Sequence, residues 1–270
     1  MLFVIKSTGH VNQSFNKLKA LPNMIVRQIL ATLRQIQHTP NRIALFARTL
    51  GLSNFHFHFK EVKAAHRDCR FDQKADAIDR EISGEGEYTK DWSVGNFKIW
   101  LDTINQVELP CNCRILEIGS FEGKSTNFWL KTLIGSEIIC VDTWVGSDEH
   151  QTLDMSAVEQ RFNENTAWAG NRLQKFRMTS SQFLFNHASS DLFDLIYIDG
   201  SHDARDVIQD AIMGFERLKH GGLMIFDDFL WHGYANPIQN PTSAINYFIR
   251  LKKTELTVLR FGRQVHIKKN

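Results

Sequence analysis

The chain contains no apolar run approaching the roughly 18 residues that a membrane-spanning helix needs. Leu2-Phe3-Val4-Ile5 is too short for the core of a secretion signal. A soluble protein is the expectation. Cysteine is also scarce: the four, Cys69, Cys111, Cys113 and Cys140, show no zinc-type pairing, because Cys111 and Cys113 lack the usual two-residue spacer. Reduced, structural thiols fit better, and with them a cytoplasmic location. Acidic residues are missing altogether from 1–60, where eight Lys and Arg stand unopposed, while the rest of the chain holds 24 basic against 30 acidic residues. The net charge of +2 therefore conceals two parts of different kind.

In the basic part, Met24, Ile25, Ile29, Leu30, Leu33 and Ile36 recur at helical spacing with Arg27, Gln28, Arg34 and Gln35 opposite them. A second helix is expected over 43–50, after Thr39-Pro40-Asn41. Such stripes suit packing on the main domain or on a second copy of the chain, giving a homo-oligomer. A membrane-surface contact through residues 1–60, an organelle transit peptide and a nucleic-acid arm are the sharper alternatives. The dense Lys/Arg cluster of a nucleic-acid binder is absent, so no nucleic-acid partner is expected. Phe55-His56-Phe57-His58-Phe59 alternates and reads as a half-buried extended segment, since no third metal ligand stands near the two histidines. Residues 61–82 are helical in pattern and Ser83-Gly84-Glu85-Gly86-Glu87 reads as a linker or flexible loop. The domain boundary is placed there, giving a helical extension over 1–80 and a main domain over 81–270.

From Trp92 to Ile104 a helical pattern returns. Strands at 114–118, 137–142, 173–178, 193–199 and 222–227 then alternate with helices at 125–134, 156–168, from Ser181, and at 204–218. This alternation predicts a parallel sheet with helices on both faces. A helix over 241–251 and strands at 256–260 and 264–268 end the chain in a hairpin, which makes the last strand antiparallel.

The organising stretch is Arg114-Ile-Leu-Glu-Ile-Gly-Ser-Phe-Glu-Gly-Lys-Ser125, a strand, a tight turn and a helix start. Gly119 and Gly123 let the backbone approach a ligand, and the helix start offers unpaired N–H groups. A phosphate-binding loop needs G-x-x-x-x-G-K-[ST], and this spacing is one residue short. A dinucleotide fingerprint needs a glycine where Phe121 stands. Ligands of open α/β sheets bind beyond the carboxyl ends of the strands, and here those ends are acidic: Glu117, Asp142, Asp199, and Asp227 with Asp228. Asp142, 23 residues after Gly119, suits the two hydroxyls of a ribose, and Glu117 suits an ammonium group. A ribose and an amino acid without a pyrophosphate describe S-adenosyl-L-methionine.

Residues 114–232 resemble the class I S-adenosylmethionine-dependent methyltransferases. The run 115–126 resembles their first motif and Ile139-Cys140-Val141-Asp142-Thr143-Trp144 their second. Phe193-Asp194-Leu195-Ile196-Tyr197-Ile198-Asp199-Gly200-Ser201-His202, followed by the stretch 218–228, is similar to the branch of metal-dependent small-molecule and sugar O-methyltransferases. His220 stands where that family has proline, a turn-level change. The resemblance implies an α/β fold, a Rossmann-like doubly wound sheet of seven strands with a reversed last strand, beside the N-terminal helical extension. It implies that Glu117 binds the methionine amino group and Asp142 the ribose. Gly119, Ser120, Gly123, Ser125 and Thr143 line the cofactor, and Ser180, Ser181 and Gln182 lie where adenine is recognised. Trp144 packs on the adenine, guards its entrance, or is simply core.

Asp199, Asp227 and Asp228 repel one another unless a cation or a proton intervenes. All-oxygen ligation favours a hard divalent ion, Mg²⁺ foremost, and the resemblance gives it the Lewis-acid role on the acceptor hydroxyl. His202, or Asp199 itself, is the candidate base. His150 and His232 are placed near the substrate, and loops 143–156 and 229–241, with Trp231, Tyr234 and Asn236, around the acceptor. The expected reaction is O-methylation of a small molecule or sugar hydroxyl. Rivals are a binding or scaffold protein that has lost catalysis and a nucleic-acid methyltransferase using the basic arm, although strand four lacks the N/D-P-P-Y/F motif of amino-directed DNA enzymes.

Overall fold

The computed structural model describes residues 70–93, 95–146, 153–187 and 192–270. The two amphipathic helices, the Phe-His alternation, Cys69, His150 and the membrane-contact segment 1–60 lie outside the described residues.

Five strands, β1 (Arg114–Ile118), β2 (Glu137–Asp142), β3 (Leu173–Arg177), β4 (Phe193–Ile198) and β5 (Leu218–Phe226), pair in parallel, with the polar β3 at the sheet edge. Strand β7 (Val265–Lys269) enters antiparallel between β5 and β6 (Leu256–Phe261). The order is β3-β2-β1-β4-β5-β7-β6, so the chain reverses direction along the sheet between β1 and β4. That switch point is where an open α/β sheet leaves a crevice. The seven strands and the reversed last one agree with the sequence expectation. Strand β5 starts at Leu218, earlier than expected, because Leu218 pairs with Phe193 before an irregularity in the ladder.

Helix α1 (Arg70–Glu85) and helix α2 (Asn96–Val107) precede β1. Helices α3 (Lys124–Thr132), α4 (Met155–Thr166), α5 (Ser180–Asn186), α6 (Ala204–Arg217) and α7 (Pro241–Leu251) follow in turn. Their starts obey local chemistry: Asp154 and Asp203 cap α4 and α6, and Pro241 opens α7 where a missing N–H costs nothing. The core on the α2 side is aromatic. Trp100 and Phe97 of α2 meet Phe128 and Trp129 of α3, with Trp100 edge-on to Tyr197 of β4 at 5.3 Å between ring centres. Ala75, Ile78 and Ile82 of α1 join this cluster, so residue 80, where the sequence puts the boundary, lies inside a packed helix. The expected linker at 83–87 is instead the last turn of α1 followed by anchored chain. Asn165 supplies the reason: it accepts from Glu87 N at 2.9 Å and donates to Glu87 O at 2.9 Å.

Cys111, Cys113 and Cys140 are free thiols. Burial pushes the Cys113 thiol up to about 12, which leaves it unreactive. Among the described residues no helix is long and apolar enough to cross a membrane.

Candidate active site

The turn after β1 is shaped by two positions that exclude a side chain. Gly119 has φ 85°, and a Cβ there would overlap the carbonyl oxygen of Asp199. The ends of β1 and β4 therefore touch at this residue, with Asp199 N donating to Ile118 O at 2.8 Å. Gly123, φ 82°, stands before α3, and a Cβ there would come within 2.8 Å of Thr166. No side chain caps α3, so its first N–H groups face the turn.

Between the glycines, Phe121 holds φ 46°, an uncommon state for a residue with a Cβ. Its N–H donates to Asp142 Oδ2 at 3.0 Å and its carbonyl accepts from Trp144 Nε1 at 2.9 Å. Asp142 Oδ2 also accepts from Ser120 N at 2.9 Å, and Oδ1 from Trp144 N at 2.8 Å. The acid expected on the ribose is thus also the brace of the turn, with about one of its roughly four acceptor positions left over. Trp144 is buried against Phe162, 4.9 Å between rings, with Lys175 Nζ 4.3 Å from its ring centre. It supports the turn from the core. Thr143 Oγ1 accepts from Val145 N at 3.3 Å.

Glu117 is wholly buried, its Oε2 accepting from the Thr126 hydroxyl. Oε1 and the Ser120 hydroxyl have no well-formed hydrogen bond. Burial raises the Glu117 carboxyl above its usual range, and the nearby hydroxyls of Thr126, Ser125 and Ser120 only oppose the shift. A buried acceptor left open beneath a glycine turn fits the ammonium group of S-adenosylmethionine.

At the start of α5 the cap is Thr179, in a reciprocal box with Gln182. Gln182 Oε1 accepts from Thr179 N at 3.2 Å, and the Ser181 and Thr179 hydroxyls are 3.1 Å apart. These residues are held by helix chemistry at the expected adenine position. Ser180 is bonded to Asp210, whose carboxyl burial raises to about 7.

Across the switch point stand the other acids. The Tyr197 hydroxyl lies 2.9 Å from Asp199 Oδ2 and 2.6 Å from Asp227 Oδ2. Gln264 Nε2 donates to the same Asp227 oxygen at 2.8 Å, and Asp228 N donates to Asp227 Oδ1 at 2.8 Å. Asp228, at φ 55°, turns its Oδ2 to His202 Nε2 at 2.8 Å. The His202 ring packs 4.5 Å from Trp231, which meets Tyr234 at 5.0 Å. Burial and then the neighbouring carboxylates Asp227 and Asp228 push Asp199 well up; Asp227 is raised by burial and then by Asp228. One phenolic proton cannot serve two carboxylates, so the second short contact of Tyr197 is completed by a carboxyl proton.

The amide of Gln264 has only one workable orientation. Trp100 Nε1 can only donate, and it meets Gln264 Oε1 at 2.8 Å, leaving Nε2 for Asp227. His266 Nε2, 3.1 Å from the same Oε1, then carries the proton, and Nδ1 accepts from Thr103 Oγ1 at 2.7 Å. Burial holds His266 far below its ordinary pKa, in keeping with a neutral ring.

Asp199, Asp227 and Asp228 do share one sheet edge, as expected. Their oxygens, however, face Tyr197, Gln264, the Asp228 amide and His202. Among the described residues no group of three or more His, Cys, Asp or Glu is arranged to hold a metal ion. As folded, the set does not fit a resident Mg²⁺: the repulsion that the sequence reading gave to a cation is relieved here by a proton and by neutral donors. Tyr197 could have been found from the sequence, because it lies two residues before Asp199 and so on the same strand face. Gln264 could not, since only the β5–β7 register brings it beside Asp227.

Comparison with known proteins agrees with this geometry. Residues 116–229 match the family described as "Methyltransferase domain". An uncharacterised protein of Acanthamoeba polyphaga mimivirus is 24% identical over 137 residues, 48% of this chain, and the match spans 58% of the viral protein's length. Among solved structures, the O-methyltransferase TomG of Streptomyces achromogenes, in complex with S-adenosylmethionine, superposes with a TM-score of 0.51 at 13% identity, over 80% of this chain and 96% of that one. A candidate O-methyltransferase of Klebsiella pneumoniae gives 0.50 at 18% identity over 80% and 96%. At such identities the likeness speaks for the fold. The family match runs from β1 to the acids after β5, so residues 116–229 form a methyltransferase domain, and the structural likeness gives that domain the Rossmann-like fold of S-adenosylmethionine-dependent O-methyltransferases.

Proposed function

We propose that the enzyme methylates a hydroxyl oxygen of a small molecule or sugar. The observation that supports this reading is the contact between Gly119 and Asp199, which brings the glycine turn after β1 against the end of β4, three residues before His202. Bound S-adenosylmethionine supplies an electrophilic sulfonium methyl and leaves as S-adenosylhomocysteine. Glu117 and the α3 start hold its amino-acid end, and what remains of Asp142 its ribose. The acceptor oxygen forms a bond to the methyl carbon as the carbon–sulfur bond breaks, and its proton passes to His202. Asp228 orients that imidazole and stabilises its protonated form. Asp199 is a weaker candidate for the base, because its Oδ2 already meets the Tyr197 hydroxyl. Trp231 and Tyr234 give the acceptor side an aromatic wall, which suits the face of a sugar or phenol ring.

The test is transfer of labelled methyl to a panel of sugars, phenols and other hydroxylated acceptors, with the His202→Ala variant alongside. Label in an oxygen-linked methyl, lost in the variant, supports the reading. Transfer only to nitrogen acceptors overturns it. Divalent-metal assistance enters only if Asp227 moves away from Tyr197 and Gln264. Full turnover in EDTA removes it, and turnover lost in EDTA and restored by Mg²⁺ establishes the rearrangement.

A further inference from the structure

The donor turn carries one more buried acid, which neither wall of the crevice uses. Glu122 is 1% exposed. Its Oε2 accepts from Thr89 N at 2.6 Å; its Oε1 accepts from Thr89 Oγ1 at 2.8 Å and from Arg161 Nη1 at 2.9 Å. Its carbonyl accepts from Asn165 Nδ2 at 2.8 Å, and Asn165 is the residue that also brackets Glu87. Two residues of α3 grip the same segment: Lys124 Nζ donates to Asp91 Oδ2 at 2.6 Å, and Asn127 Nδ2 to Tyr88 OH at 2.8 Å. The Trp92 ring lies 4.8 Å from that of Phe121. Residues 87–92 are thus fastened across the turn at almost every position.

A buried carboxylate is tolerated only where charge-assisted donors meet it, and Glu122 spends all of its partners on this one segment and on Arg161. Its neighbour Phe121 sits at positive φ, a state that persists only where the surroundings impose it. Asp142 and Trp144 impose it from the sheet side; the segment 87–92, through Glu122, imposes it from the other. We propose that Glu122 is a positioning residue for the methyl donor: with Thr89 and Arg161 it makes residues 87–92 a strap whose seating is coupled to cofactor binding. Such coupling is reciprocal, so cofactor steadies the strap as the strap shapes the turn. The inference rests on the assignment of the turn to S-adenosylmethionine.

The test uses the full chain and S-adenosylhomocysteine, so no acceptor is needed. Isothermal titration on wild type, Glu122→Gln, Thr89→Val and the double variant is paired with amide exchange with and without ligand. Expected are an affinity loss of about 10-fold for Glu122→Gln, a smaller loss for Thr89→Val, and a double variant no weaker than Glu122→Gln, because both cut one linkage. Ligand should also protect the amides of 87–92 in wild type and not in Glu122→Gln. Unchanged affinity in both single variants, whatever their melting temperatures, overturns the proposal, as does protection confined to the turn. If Glu122→Gln does not fold, Thr89→Val, which leaves the turn itself untouched, decides between the same outcomes. Failure of the wild type to bind S-adenosylhomocysteine would instead remove the donor-site assignment, and the strap with it.

Discussion

The two walls of the crevice treat their buried acids in opposite ways. On the donor wall, Glu117 is wholly enclosed yet leaves Oε1 open, with the Ser120 hydroxyl open beside it. On the acid wall, Asp227 is met at both oxygens by Tyr197, Gln264 and the Asp228 amide, and Asp228 is met by His202. An open buried acceptor lowers the stability of the empty protein and strengthens the grip on a ligand that completes it. A closed set does the reverse. Under the proposed assignment one wall would be finished by its ligand, and the other is finished without one.

The strongest way to break this contrast is to force the walls apart. Gly119→Ala puts a methyl into the Asp199 carbonyl at a φ that disfavours it, and should cost about 3 kcal/mol or more and abolish binding of S-adenosylhomocysteine. Chemical denaturation and titration calorimetry read both; a variant that melts and binds like wild type would show that the walls do not meet here. Next in size, Glu117→Gln should weaken the same ligand about 100-fold without lowering the melting temperature, since the amide keeps an acceptor for Thr126 and only the charge beside the open oxygen is removed. A fall in stability with affinity intact would reverse the assignment.

Asp210 is intermediate, a buried acid with Ser180 as its bonded partner, and it yields a pH signature. Its carboxyl is raised to about 7 from an ordinary 3.8, so the folded state holds a proton that the unfolded state has lost. Its contribution to stability is whole below the unfolded value and is lost as pH rises through about 7. Asp210→Asn should therefore gain about 2 kcal/mol on wild type between about pH 5 and about pH 8, measured by denaturant midpoints. A constant difference across that range would refute the shift. The smallest effect belongs to the closed wall: Tyr197→Phe should cost about 1 to 2 kcal/mol of stability while leaving S-adenosylhomocysteine affinity unchanged. A loss of that affinity would mean that the two walls are not separate.

Much of this was legible in the sequence because it depends on short spans. Leu116 and Ile118 flanking Glu117, the two glycines, and Asp142 closing β2 state strand, turn and donor within a few dozen residues. Strand direction followed from helices intervening between apolar runs, and the reversed β7 from the tightness of the Gly262 turn. What stayed hidden depends on register and on distant pairing. Gln264 meets Asp227 only because β7 pairs Val265 with Phe226. Glu122 meets Thr89 across 33 residues, just beyond the stretch 83–87 whose glycines and acids read as loose chain. Three carboxylates at strand ends suggested a cation, since charge is visible in a sequence and the hydroxyl and amide that answer it are not.

The placement of Gln264 also ties the last hairpin of the chain to the acid edge. Strands β6 and β7 pair with each other, and Asp227 acquires its amide partner only when β7 docks on β5. Before that docking, a glycine turn assembled from β1, β2 and α3 would face an acid edge still short of one fastening. Competence to bind and competence to react should then be separated in time, so refolding followed by S-adenosylhomocysteine binding should run ahead of refolding followed by methyl transfer. Coincident recoveries would show that the sheet closes in a single step.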